Sequence, residues 1–334
     1  MAKKTTQQQQ YLSSEEIKIL AKVSKDIFYF SHFIWVINPV LGRVRFDLYP
    51  YQKSVLYNFL KERFNIILKF RQAGITELIS MYCLWLAMYH SNKKINIISI
   101  KDTIAKKVLK KIKFMYKNLP WYLQTPIING RTGEYGSAST MEFSNGSIIE
   151  SIPTSDQAGR SESLSLLVID EAAIVRWAAQ IWAAAFPTLS TGGSAIVNST
   201  PFGVGGFYHS TWVDAISGSN PFNPIRLYWQ MHPDRDQNWY DEMATALGPK
   251  RTAQEIDGDF LSSGNTVFDL ADIKSIEEML TEYPPIKMRL GGQYREFNEP
   301  DPNTDYFIGA DCATGRGTDY SSFTCMSKEG EEAV

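Results

Sequence analysis

Short apolar runs alternate with longer helix-forming stretches along much of the chain. The runs near residues 65–69, 94–100, 164–170 and 194–200 are rich in β-branched residues, as buried strands are. The stretch at 78–89 holds helix formers and neither Gly nor Pro. Strands that alternate with helices pair in parallel, because each helix carries the chain back to the same end of the sheet. The pattern therefore predicts an α/β fold with a mostly parallel sheet, helices on both faces, and these four strands side by side.

Weaker patterns surround this core. Residues 1–10 are polar and of low complexity, which predicts disorder. The apolar and aromatic stretch at 27–40 is expected to be helix or loop that packs in the core. Residues 140–151 predict a hairpin, because Asn145 and Gly146 between two β-prone runs form a strong turn signal.

Composition limits the class of protein. A length of 334 residues predicts about two domains, and 44% hydrophobic residues suffice for globular cores. The net charge of −2 gives no global sign of nucleic-acid binding. Three cysteines without a C-x-x-C pair argue against a disulfide framework or a zinc site and fit a reducing compartment. No apolar run approaches a membrane span and no signal peptide is evident, so we expect a soluble intracellular protein.

The turn at residues 69–76, with the sequence K-F-R-Q-A-G-I-T, joins a predicted strand to a predicted helix. Such a turn exposes backbone N–H groups, and the helix N-terminus adds a positive dipole end, so the segment is typical of a phosphate-binding loop. A second apolar strand ends in Asp170 and Glu171. A parallel sheet would deliver these acids as a metal-holding carboxylate and a base for an attacking water.

The loop departs from the usual pattern G-x-x-x-x-G-K-[ST]. Gly74 and Thr76 match the last glycine and the hydroxyl, but Ile75 stands at the lysine position and Lys69 at the first glycine. Lys69 or Arg71 could supply the missing cation by reaching back over the phosphates. The alternative is an ordinary strand-to-helix turn with incidental basic residues, and the acidic pair tells against it.

Seven lysines between Lys101 and Lys117 form the densest positive run of the chain. A charge run is usually a solvated helix face. The alternative is a surface that follows phosphates, for which lysine charges need no base specificity.

Three motifs, R-Q-x-G-x-T, V-I-D-E-A-A and N-S-T-P, follow one another at residues 71–76, 168–173 and 198–201. Their order and spacing resemble the large terminase subunit of tailed double-stranded DNA phages, over about residues 45–325. That family joins a packaging ATPase to an RNase H-like nuclease, and its phosphate loops often carry the cation near the start of the motif. The resemblance implies a P-loop fold of the RecA/ASCE type and an ATPase that uses ATP and Mg²⁺ to move duplex DNA into a procapsid.

The resemblance assigns roles within this ATPase. Glu171 would be the general base, and Thr76 and Asp170 would hold Mg²⁺. Arg160 would sense the γ-phosphate in its own subunit or act as an arginine finger toward a neighbour, unless it is a plain loop arginine. The nucleotide-contacting residues would be Gln52, Lys69, Arg71, Gln72, Ala73, Gly74, Ile75, Thr76 and Glu77.

Two of these assignments compete with alternatives. The resemblance favours Arg71 as the catalytic replacement for the missing lysine, and Lys69 ends a strand, so its side chain is free to point away from the loop. Gln52 would read the adenine edge, since an amide both donates and accepts. Its alternative is an early position in a helix that begins at Pro50.

The resemblance also covers residues outside the loop and the acidic pair. Ser199 and Thr200 would couple hydrolysis to movement, unless they are a plain strand exit before Pro201. Asp311, at the end of a predicted strand, would be the first metal-holding carboxylate of the nuclease. These 334 residues hold only the first strands of such a nuclease, so we expect no metal-dependent DNA cleavage.

The implied domains are a tail and helical region (1–44), the ATPase core (45–215), a lid subdomain (216–281), a linker (282–304) and the start of the nuclease (305–334). The implied partners are double-stranded DNA, the portal protein, the small terminase subunit and further copies in a ring, with a monomer in isolation and no membrane. The place would be the host cytoplasm at the procapsid portal. A nucleotide-binding assembly module with little turnover and a helicase-like DNA remodeller remain alternatives, and Glu171 favours the enzyme.

Overall fold

The computed structural model describes residues 11–129, 135–154, 163–260, 284–289, 294–312 and 321–328. The chain divides into a unit of residues 1–265 and a unit of residues 266–334. The strands of the larger unit are β1 (Trp35–Asn38), β2 (Gly42–Arg45), β3 (Phe64–Leu68), β4 (Lys94–Ile98), β5 (Thr140–Glu142), β6 (Ile148–Ile152), β7 (Leu166–Asp170), β8 (Ser194–Ser199) and β9 (Asn223–Arg226).

One seven-stranded sheet, in the order β5-β6-β4-β7-β8-β3-β9, forms the centre of the larger unit. All its neighbours pair in parallel except β5 and β6. The four strands expected to lie side by side do so, in the order β4-β7-β8-β3, and the predicted α/β class is confirmed. The hairpin predicted around Asn145 and Gly146 is β5 and β6. Gly146 takes a φ of 82°, the left-handed conformation that such a turn requires.

The helices of the larger unit are α1 (Ser14–Val23), α2 (Ile27–Ser31), α3 (Pro50–Lys61), α4 (Ile75–Tyr89), α5 (Asp102–Lys117), α6 (Ala178–Ala185), α7 (Gly206–Ile216), α8 (Gln237–Leu247) and α9 (Pro249–Thr252). They cover both faces of the sheet. Ile67 of β3 belongs to the core formed with α3, α4 and α5. Its neighbours Ile66 and Leu68 belong to a second core, which α6 and α7 complete. This alternation is the period of two expected of a strand that is buried on both sides.

The N-terminal region differs from the sequence expectation of helix or loop at 27–40. Helix α2 ends at Ser31, and β1 then pairs with β2 in an antiparallel hairpin. The Asn38 side chain accepts hydrogen bonds from the backbone N–H groups of Val40 and Leu41, and Gly42 takes a φ of 72°. This side-chain-stabilised turn reverses the chain, and a reading of hydrophobicity alone overlooks it.

The smaller unit contains two antiparallel hairpins. Strand β10 (Lys287–Arg289) pairs with β11 (Tyr294–Glu296), and β12 (Tyr306–Asp311) pairs with β13 (Ser322–Ser327). The strand predicted at 306–311 is thus present, with Asp311 at its exposed end. In the described part of the chain, no helix is long and apolar enough to cross a membrane.

Candidate active site

The site lies where β3, β7 and β8 end, at one edge of the sheet. The loop at 69–74 follows β3, Asp170 ends β7 and Glu171 follows it, and Ser199 ends β8. Because β8 lies between β7 and β3, the acidic pair and the loop are two strand spacings apart, about 10 Å, with the end of β8 between them. The sheet therefore brings together two of the sequence motifs and the start of a third.

The loop closes in a conformation that its residues do not all favour. Gly74 takes a φ of 70° and Gln72 a φ of 62°. A Cβ atom on Gly74 would lie 2.5 Å from Nε2 of Gln52, so a side chain there would strain the backbone and displace the Gln52 amide. The turn delivers the chain into α4, whose first N–H groups have no acceptors within the helix and are free for an anion.

Helix α3 holds the loop through the carbonyl oxygen of Ala73. The Tyr51 hydroxyl donates to that oxygen at 2.8 Å and Gln52 Nε2 at 3.1 Å. Gln52 Oε1 accepts from the backbone N–H of Tyr49 at 3.1 Å, so both ends of this buried amide are engaged within the chain. The contact with Tyr49 is the capping contact expected of a residue in the first turn of a helix that begins at Pro50, whereas the contacts with Ala73 join that helix to the loop.

Thr76 and Asp170 meet across the site. The Thr76 hydroxyl donates to Oδ1 of Asp170 at 3.3 Å. Burial, and then the neighbouring Glu171 carboxylate, raise the pKa of Asp170 to about 6, against the effect of Lys69 and the side chains of Asn198 and Thr76. A hydroxyl and a buried carboxylate that lacks full charge compensation are oxygen ligands of the kind that Mg²⁺ prefers, so these residues fit that ion.

Glu171 takes a left-handed conformation with a φ of 55°. Its Oε1 lies 2.8 Å from Nζ of Lys69, and its Oε2 accepts from the Ser199 hydroxyl at 3.5 Å. Ser199 Oγ in turn accepts from the backbone N–H of Ala173 at 3.2 Å. A left-handed non-glycine residue is a strained position, and such positions often occur at functional sites.

The two candidate cations occupy different surroundings. The Lys69 side chain is 7% exposed and faces Glu171, whose side chain is 29% exposed. The Arg71 side chain is 68% exposed, and its Nη1 lies 3.0 Å from Oε1 of Glu255. The Lys69 side chain thus points toward the acidic pair, whereas that of Arg71 lies at the surface against Glu255.

A segment after β9 binds the loop from the other side. It lies within residues 216–281, for which the resemblance implies a lid over the nucleotide pocket, but the individual contacts were not predicted. The backbone N–H of Arg71 donates to the carbonyl oxygen of Glu255 at 2.6 Å. Both terminal nitrogens of Arg235 donate to the carbonyl oxygen of Arg71 at 3.2 Å. The Arg235 guanidinium lies between the rings of Phe70 and Trp239, at 4.7 and 4.2 Å from their centroids.

Tyr208 is a second residue that sequence reasoning missed. Its buried hydroxyl donates to the carbonyl oxygen of Ile67 at 2.5 Å and lies 3.3 Å from that of Ser199. It thereby joins the ends of β3 and β8 directly beneath the site. Burial raises the pKa of Tyr208 well above its ordinary value, so this hydroxyl stays a donor.

The remaining candidates lie elsewhere or outside the described residues. Thr200 is half-buried and follows β8. Glu77, in the first turn of α4, forms an ion pair with Lys111. Asp311 belongs to the smaller unit. Arg160 lies outside the described residues.

Comparison with known proteins gives these features a family context. A family model described as terminase large subunit, T4likevirus-type, N-terminal, matches residues 66–275. The large terminase subunits of Thermus phage G20c and Thermus virus P23-45 are each 30% identical to this chain over 184 residues. The match takes in 50% of this chain and 35% of each relative, so the chain spans about a third of the length of those relatives.

Solved structures of large terminases share the fold. The ATPase domain from Thermus phage P74-26 matches with a TM-score of 0.50 and 18% identity, over 65% of this chain and 95% of that domain. The HK97 bacteriophage large terminase matches with a TM-score of 0.53 and 15% identity, over 91% of this chain and 65% of that one. The large terminase of another thermophilic bacteriophage, solved in complex with ADP, has a TM-score of 0.52 at 13% identity, over 84% and 65% of the two chains.

Proposed function

The chain belongs to the terminase large-subunit family, and from that premise we propose that it is the ATP-hydrolysing motor that moves double-stranded DNA into a procapsid. One observation carries the proposal. A phosphate-loop hydroxyl, Thr76, meets the buried carboxylate of Asp170, and Glu171 beside it meets the ammonium of Lys69. A site that only bound nucleotide would have no need of the second carboxylate next to the first.

The residues of the chain divide the work of hydrolysis among them. The N–H groups at the start of α4 would bind the terminal phosphates of ATP. Thr76 and Asp170 would hold Mg²⁺, which neutralises charge on those phosphates. Lys69 is the buried cation at the start of the loop, so its ammonium would leave Glu171 and bind the phosphates when ATP enters the site. Glu171, released from that pair, would accept the proton of the attacking water, while Ser199 fixes its second oxygen.

Several assignments of the resemblance remain part of this proposal. Arg160 would act on the γ-phosphate within its own subunit or in a neighbouring one. Gln52 would set the loop through Ala73 and lie close to the adenine, and Ser199 with Thr200 would relay hydrolysis to movement. The partners would be the portal protein, the small terminase subunit and further copies of this chain in a ring, in the host cytoplasm. Asp311 would hold a metal ion in an RNase H-like nuclease.

The test is ATP turnover by the purified chain, with and without duplex DNA, compared with a Glu171→Gln variant. The amide keeps the size of the carboxylate but cannot accept a proton, so we expect turnover to fall by about a hundredfold or more while ATP still binds. Glu62→Gln is the matched control, since it removes an acid at the end of α3 that contacts only Lys61 in the described ion pairs. Turnover of Glu171→Gln near that of an active parent would show that Glu171 is not the base, and a parent without turnover would support an assembly module that binds nucleotide.

A further inference from the structure

Helix α5 carries a local excess of positive charge in a chain that is otherwise slightly acidic. Residues 101–117 hold seven lysines and one acid, Asp102, whereas the whole chain has a net charge of −2. Opposite charges four residues apart stabilise a solvated helix, whereas like charges at that spacing repel each other. Residues 103–117 contain no acid at all.

Packing decides which lysines face solvent. The apolar side of α5 is buried in the core that it shares with α3 and α4, through Val108, Leu109, Ile112 and Met115. Lys107, Lys110 and Lys117 are exposed. Their spacings of three and seven residues place them on one side of the helix. At 1.5 Å per residue, Lys107 and Lys117 are about 15 Å apart along the axis.

Two arginines of the β1–β2 hairpin lie near the end of α5 and extend the row of exposed lysines. Nη1 of Arg43 donates to Oδ1 of Asn118, the residue after Lys117, at 2.8 Å. The guanidinium groups of Arg43 and Arg45 lie 4.7 and 4.0 Å from the ring centroid of Trp35, which holds both at the surface. We call Lys107, Lys110, Lys117, Arg43 and Arg45 the basic strip.

The basic strip has no acidic partner within the described residues. None of its five side chains takes part in an ion pair there. Lys111, on the flank of α5, forms an ion pair with Glu77 in the first turn of α4. The strip therefore stands on a helix that is tied directly to the helix of the phosphate loop.

We propose that the basic strip is the surface on which this chain holds the phosphate backbone of duplex DNA. The inference rests on the proposed function and deepens it, because it places the DNA on named residues. A DNA strand presents one phosphate per 3.4 Å of axis, so about four phosphates pass along the 15 Å between Lys107 and Lys117. Lysine and arginine contacts of this kind position a duplex without reading its sequence, as a motor that handles a whole genome needs.

The experiment measures binding of a fluorescent duplex DNA by anisotropy, without nucleotide, over a range of salt concentrations. The main variant is Lys107→Gln/Lys110→Gln/Lys117→Gln. The control, Lys18→Gln/Lys25→Gln/Lys61→Gln, removes three exposed lysines from α1, from the turn that follows it and from α3. Thermal unfolding of both variants should match that of the parent, since all six side chains are exposed.

The slope of log affinity against log salt concentration is negative, and loss of three phosphate contacts should reduce its magnitude by about 2.7. Between about 50 and 200 mM salt the parent should then lose roughly 40-fold more affinity than the main variant does. The control should keep the parent slope, and Arg43→Gln/Arg45→Gln should lower the slope by about 2. A main variant whose slope and affinity equal those of the control would overturn the proposal.

A second readout separates this inference from the proposed function. The main variant should keep the ATP turnover measured without DNA and lose any increase that DNA causes in the parent. Turnover that is absent from the parent, with DNA binding still lost in the main variant, would refute the motor but leave the strip as a DNA surface. Full DNA stimulation in the main variant would refute the strip.

Discussion

The pair formed by Lys69 and Glu171 makes a prediction that needs neither nucleotide nor DNA. Glu171→Gln removes the charge that lies 2.8 Å from the Lys69 ammonium, and that ammonium belongs to a side chain only 7% exposed. The variant should therefore be less stable than the parent when no nucleotide is bound, because it leaves a cation poorly compensated inside the protein.

The magnitude follows from burial. Removal of one partner from a fully buried ion pair costs about 3–5 kcal/mol. The Glu171 side chain is 29% exposed, so water reaches the pair and reduces the loss, to about 2 kcal/mol. For a unit of this size, that loss corresponds to a fall in melting temperature of about 4–8 °C.

Thermal unfolding followed by far-ultraviolet circular dichroism measures this fall. Lys69→Met, placed in the Glu171→Gln background, takes away the uncompensated cation and keeps a long apolar stem, so the double variant should melt closer to the parent than Glu171→Gln does. Glu62→Gln again serves as the control and should change little, since its pair with Lys61 is exposed. A Glu171→Gln melting temperature within about 1 °C of the parent, or a double variant less stable than the single one, would refute the reasoning.

Two further predictions follow from the same region. Lys69→Ala should weaken nucleotide binding in a fluorescence titration more than Arg71→Ala does. The reason is that the Lys69 side chain is buried in the site, whereas that of Arg71 is 68% exposed and bound to another residue. The reverse order would show that Arg71 replaces the missing lysine of the phosphate loop. Tyr208→Phe should lower the free energy of unfolding by about 1–2 kcal/mol, because it removes a buried donor from the carbonyl oxygens of Ile67 and Ser199. A free energy from urea unfolding within a few tenths of a kcal/mol of the parent value would contradict this.

The parts of the fold visible in the sequence were those with a local cause. Strands β3, β4, β7 and β8 are short apolar runs, and their alternation with helices suffices to make them parallel neighbours. The loop at Gly74 and the acids at Asp170 and Glu171 follow from strand ends, which a parallel sheet collects at one edge. Each of these inferences needs only neighbouring residues and the general geometry of a sheet.

The parts that sequence reasoning missed depend on contacts between distant residues. Nothing near Lys69 in the chain shows that its side chain turns toward Glu171, which lies about a hundred residues later. Arg235 and Glu255 reach the loop at Arg71 from still farther along the chain. Such pairings are decided by how the elements pack, and hydrophobic periodicity carries no information about them.

The hydrogen bonds that Arg71 forms with Arg235 and Glu255 affect how the loop can move. The backbone N–H and carbonyl groups of Arg71 are both bound by the segment that holds Arg235 and Glu255, through one hydrogen bond on one side and a forked pair on the other. If the loop shifted alone, it would break all three, at a cost of about 1 kcal/mol or more each. A displacement of the loop would therefore move that segment together with it. The loop and the segment that carries Arg235 and Glu255 are thus coupled through the peptide groups of a single residue.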